Sequence, residues 1–169
     1  MRLLKVLENK GWLVRTREAA SFVLPEVLER RYGCIPPEVL DFLSQVRSCS
    51  SPDEASWLLG ANDYQVESGT GFSWNEIEEM SLESCQSEAE RSEVRAFWDG
   101  HFPLALSVRS EYDYLAICVA GEGKGKILHG YAPEWESPSV VASSFSEFLV
   151  VFERAAVSAD PEYPFNIFL

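Results

Sequence analysis

FPLALSVRSEYDYLAICVAGEGKGKILHGYAP, residues 102–133, and VVASSFSEFLVVFERAA, residues 140–156, decide how this chain is read. The first contains three apolar, β-branched and aromatic runs, 102–109, 112–119 and 126–131. They are parted by the short polar Ser110-Glu111 and by the glycine-rich AGEGKG, so they predict a meander of antiparallel strands. Leu104, Leu106 and Val108 alternate with Ala105, Ser107 and Arg109, which predicts one wet face for that strand and deeper burial for the next. In the second stretch the period changes. Phe145, Phe148, Leu149 and Phe152 fall at i, i+3, i+4 and i+7 behind Ser144, with Glu147 as its capping-box partner, so a helix lays an aromatic stripe on the sheet.

Together with ERRYGCIPPEVLDFLSQV at 29–46, these motifs resemble the SUKH superfamily, which includes bacterial toxin-immunity proteins and a yeast cell-wall synthesis regulator. The matching features are Ile35-Pro36 before a Phe-Leu helix, the strand carrying YDYLAI, the GKI strand, and the closing SSFSEFL, over about residues 27–152. Two positions depart from the family's habit. Ser48-Cys49-Ser50-Ser51 stands where Asn-Gly is common, and Tyr112 stands where a glycine usually precedes the Asp-Tyr pair. The resemblance implies an α+β fold, an antiparallel sheet with N-terminal helices and a C-terminal helix packed on it. It also implies a non-catalytic protein-binding role, while leaving the partner open because such scaffolds diverge in what they bind.

Bulk properties fit one soluble domain over 1–169, with 46% hydrophobic and 12% aromatic residues to fill a core. No run approaches the roughly 18 apolar residues of a membrane span. MRLLKVLENKGW interleaves its charges with its leucines, unlike a signal peptide, so a cytoplasmic location is expected. Cys34, Cys49, Cys85 and Cys118 form no CxxC pair, and with only His101 and His129 to assist them no metal site or other cofactor is expected.

The formal net charge is −13, yet residues 1–31 hold seven basic and four acidic groups, so the excess negative charge lies beyond them. Such a body disfavours direct nucleic-acid binding, which draws on Lys and Arg, and favours a basic protein partner. The densest acidic run is Glu76, Glu78, Glu79, Glu83, Glu88, Glu90, Glu93 and Asp99, against Arg91 and Arg95. Partner-binding candidates combine carboxylates with aromatic anchors. They are Trp135 between Glu134 and Glu136 in the proline-flanked APEWESP, Tyr131, and Trp74 beside Glu76, Glu78 and Glu79.

Elsewhere, Leu3, Leu4 and Leu7 predict a short helix stopped by Gly11. Pro25 opens a helix with Val27, Leu28 and Tyr32 facing inward, and Pro36-Pro37 opens another that buries Val39, Leu40 and Leu43 with Phe42 flanking. SCSSPD reads as a turn, Trp57 starts a strand running toward Tyr64, and GTGFSW as a tight turn into a helix capped by Ser73. Glu88, Arg91 and Arg95 suit helical pairing, and DPEYPFNIFL is too apolar for a free end. Catalysis has weak support. GEGKGK lacks a phosphate loop's strand-to-helix setting, and a hydrolase would have to rest on Cys34 or Cys85 with His101. The function that the resemblance implies, and the charge suits, is an immunity protein that blocks a toxin, such as a basic nuclease, by occlusion. The alternatives are a scaffold or regulatory domain and, behind both, the hydrolase; oligomeric state is left open.

Overall fold

The computed structural model describes residues 2–17, 22–65 and 73–169. Its elements run α1 (Arg2–Asn9), β1 (Leu13–Thr16), α2 (Glu26–Tyr32), α3 (Pro37–Gln45), β2 (Val46–Ser50), β3 (Ser56–Leu58), α4 (Glu76–Ser84), α5 (Glu88–Asp99), β4 (His101–Ser107), β5 (Asp113–Cys118), β6 (Ile127–Tyr131), β7 (Ser139–Ala142), α6 (Phe145–Val157) and α7 (Phe165–Phe168). The fold is α+β. Among the described residues, seven antiparallel strands form one sheet whose spatial order is the sequence order, β1 to β7.

The three long apolar runs become β4, β5 and β6 in the expected hairpins, and GEGKGK is the β5–β6 turn. The wet face expected of the first run is absent, because Phe102 to Ser107 are all buried. Phe102 is covered by Tyr32 and stacks on Tyr64 at 4.8 Å, while Ser107 at the other end reaches the carbonyl of Ile167 in α7. Register fixes which side chains share a face: Leu106, Tyr114 and Gly130 line one, and Ser107, Asp113 and Tyr131 the other. Gly130 is needed where it stands, since a Cβ there would meet the Tyr114 ring at 2.5 Å.

α6 forms where its period predicts, with Phe145, Phe148 and Phe152 buried, Leu149 only half-buried at the stripe's edge, and the Ser144 side chain accepting from Glu147 N. The return bond of the capping box lands one residue early, on Ser143 N rather than Ser144 N. α1 buries Leu3, Leu4 and Leu7 and packs chiefly on α6. The tail is likewise pinned, with Phe168 buried in α7.

Several local expectations are corrected. Val27 is 67% exposed, because α2 turns only Leu28 and Tyr32 inward. In α3 Phe42 is buried and Leu40 only half-buried, a swap of neighbours on the helix that lets Phe42 pack edge-on against Phe145. Ser48 to Ser50 belong to strand β2, paired with β1, and the turn starts only at Ser51. β3 stops at Leu58 and does not run on, because Gly60 lies against the backbone of Arg47, where a Cβ would meet it at 2.6 Å. α4 starts at Glu76 with Asn75, not Ser73, at its N-cap; the turn proposed before it falls mostly outside the described residues. In α5 the ion pair formed is Arg95 with Glu88, two turns apart, with Ser87 as the cap.

Candidate functional site

The acidic run folds into two helices joined by a short loop, α4 and α5, which pack on each other. α5 is amphipathic: Val94 and Trp98 are buried, while Glu88, Glu90 and Glu93 point outward. Trp98 is tilted against Tyr114 at 4.8 Å, which attaches the helix to the centre of the sheet. The segment after β6 closes on this pair. Glu136 accepts from Ser81 Oγ at 2.6 Å and from Trp98 Nε1 at 3.3 Å, so one carboxylate clasps the loop to both helices.

Where the three elements meet is a notch of about 270 Å³ whose lining includes Ser81, Ser84, Cys85, Glu90, Glu93 and Glu136. Glu90 caps its own helix by accepting from Gln86 N, and among the described residues Glu83 and Glu93 enter no ion pair. Burial, with Glu136 close by, holds Tyr114 well above the ordinary phenol range, so its hydroxyl remains a donor, bonded to the carbonyl of Trp135 at 2.5 Å. The notch thus has fixed walls and open carboxylates.

The residues expected to bind a partner divide. Trp135 is not a surface anchor: it is 6% exposed, and its Nε1 donates to the carbonyl of Tyr112 at 3.0 Å. The loop around it is irregular, but its indole closes the core. Glu78 is also withdrawn, at 6% exposure, into a bidentate pair with Arg31 at 2.6 and 2.8 Å, and Arg31 also holds Asp99 at 2.8 Å. Trp74 is half-buried under that guanidinium, which lies 5.9 Å from its ring, and packs edge-on against Tyr32. Glu76 is half-buried, and Glu79 is exposed and accepts from Asn75. Glu134 is exposed beside the notch loop. Tyr131 is 47% exposed on the opposite face of the sheet from Tyr114, stacked on His129.

Of the predicted set, then, Glu136 comes together with α4 and α5, Glu134 is exposed in the same loop, and Tyr131 lies on the other face. Ser81 and Arg31 were missed. No local pattern marks a serine that will receive a carboxylate from 55 residues away, or an arginine that will bind one 47 residues on.

The hydrolase alternative finds no assembled geometry among the described residues. Cys85 Sγ donates to the carbonyl of Ser81, Cys34 is exposed at the end of α2, and His101 Nδ1 faces the carbonyl of Phe97 at 2.6 Å with the Phe97 ring stacked on it. No family model matches the chain, and no curated protein matches it. No helix among the described residues is long and apolar enough to cross a membrane.

Proposed function

We propose that this chain is a non-catalytic binding module that neutralises a basic protein partner by occlusion, in the manner of an immunity protein blocking a toxin. The observation that carries the reading is the convergence of Glu90, Glu93 and Glu136, from two separate elements, around a notch walled by α4, with the exposed Glu83 and Glu134 next in sequence to its lining residues Ser84 and Pro133. Carboxylates held on a rigid rim steer a basic partner and fix its register, and a notch between them receives a projecting cationic side chain. Net charge supports the reading: a −13 chain whose basic excess lies within residues 1–31 leaves the α4–α5 crest without compensation beyond Arg31, Arg91 and Arg95. The likeness of its strand and helix motifs to the SUKH superfamily points the same way.

The experiment pairs this chain with the protein encoded beside its gene, each made separately. Binding in low salt, with loss of the partner's own activity in proportion to the complex formed, is expected. Binding that leaves that activity intact overturns occlusion, and no binding to a basic neighbour overturns the partner class.

A further inference from the structure

On the sheet face away from the acidic crest lies a row of buried polar side chains that the proposed function does not use. Ser56, Ser107 and Asp113 are consecutive cross-strand partners on β3, β4 and β5, and His129 on β6 extends the row by bonding Asp113 through Nε2 at 2.8 Å. All four are 0–1% exposed. What buries them is the chain's own tail. Ser56 Oγ donates to Ser107 Oγ at 2.9 Å, and Ser107 Oγ donates to the backbone carbonyl of Ile167 at 2.9 Å. The Phe168 and Tyr163 rings stand edge-on to the His129 imidazole at 6.1 and 5.3 Å.

A sheet face meant only for core has no use for such a row. Apolar side chains of equal volume would fill the space without the desolvation cost of two hydroxyls and a His-Asp pair. The contacts are instead those of peptide recognition: a hydroxyl relay takes a main-chain carbonyl, and an aromatic side chain fills the place beside an imidazole. The rest of the occupant's hold is apolar packing, with Phe168 buried in the core and the Phe165 ring edge-on to Phe152 of α6 at 5.9 Å. α7 is four residues long, it follows the exposed Ala159, Asp160 and Glu162, and a cavity of about 330 Å³ opens beside Phe165 against Val151, Arg154 and Ala155 of α6.

We infer that Ser56, Ser107, Asp113 and His129 floor a peptide-binding groove that the tail occupies in cis, and that its ligand class is a short aromatic peptide offering a main-chain carbonyl. The groove lies across the sheet from the notch, so this inference goes beyond the occlusion reading and stands or falls separately. Another chain's segment enters when it outcompetes the tail, whose tethering gives it an effective concentration in the millimolar range.

The test uses the full chain and a dye-labelled peptide of residues 160–169, DPEYPFNIFL, read by fluorescence anisotropy. Phe168→Ala weakens the cis occupant, so that variant is expected to bind the peptide at least about tenfold tighter than the unaltered chain. Adding Ser107→Ala to it is expected to lower that affinity severalfold, and a peptide with alanine at 168 is expected to bind neither protein. Should Phe168→Ala lack a native near-ultraviolet circular dichroism spectrum, Phe165→Ala, at a half-buried ring, replaces it under the same criteria. A folded variant that ignores the peptide, or takes both peptides equally, overturns the groove. So does loss of fold in both variants, because a cover that can be vacated cannot be indispensable to the fold.

Discussion

Asp63 accepts from Gly60 N at 2.6 Å, and burial pushes its carboxyl up to about 6 from the ordinary 3.8. The folded chain therefore keeps this proton at a pH where the unfolded chain has lost it. The resulting stability is complete below about pH 4, falls as pH rises through about 6, and is gone above. With Asp63 partly exposed, the loss is discounted to about 1–2 kcal/mol. Asp63→Asn keeps an acceptor for Gly60 N, so it should raise unfolding free energy by that amount at pH 8 and change little at pH 4, as measured by urea titration. At Trp135 the expected cost of truncation to alanine is about 3–5 kcal/mol, because the ring is core. A partner-facing ring would instead leave stability intact and raise the dissociation rate. Sequence could not separate these outcomes. Two prolines around Trp135 do announce irregular backbone, but backbone class says nothing about where an indole points. Glu78 likewise looks like any other surface acid until Arg31 arrives from α2.

Helix α6 was legible in its span and its aromatic stripe, because thirteen residues give the 3.6-residue period room to repeat and Ser144 marks its start. Two substitutions grade its parts: Phe148→Ala should cost about 3–5 kcal/mol through lost burial and a cavity, and Ser144→Ala about 1 kcal/mol through one uncapped donor. Chemical denaturation of both measures the ratio, and a Phe148→Ala cost below about 1 kcal/mol would place the stripe on the wrong face. The central strands β4 and β5 were legible for the same reason, since runs of six or seven residues that are mostly apolar outlast chance. β2 was not, and β3 was legible at its start but not at its end. VRSCS carries an arginine, two serines and a cysteine, so pairing with neighbours makes it a strand where local preference reads turn, and β3 stops after three residues where a strand toward Tyr64 is expected. The wet face wrongly expected on β4 is a related error, for alternation reports side-chain polarity, whereas Ser107 is polar and buried because α7 supplies a carbonyl to it.

Over the whole molecule, the acidic crest predicts how association responds to salt. The Debye length shrinks to about 8 Å at 0.15 M, so the association rate with a basic partner should fall about tenfold between low and high salt while dissociation changes far less. Reversing Glu83 and Glu93 to Lys should slow association severalfold, measured by stopped flow, and leave folding intact because neither side chain is tied to the core. An association rate indifferent to both salt and reversal would leave the charge with solubility alone to explain it. The sequential strand order has a different consequence, which belongs to synthesis. Each strand pairs with the one before it, so the sheet can lengthen as the chain leaves the ribosome. Helix α1, however, packs chiefly on α6, which is made last among the long elements. At 5–20 residues per second, Leu3, Leu4 and Leu7 wait roughly 7–30 seconds for their partner. During that interval the nascent chain carries a bare leucine stripe on α1, which is the kind of surface that chaperones shield.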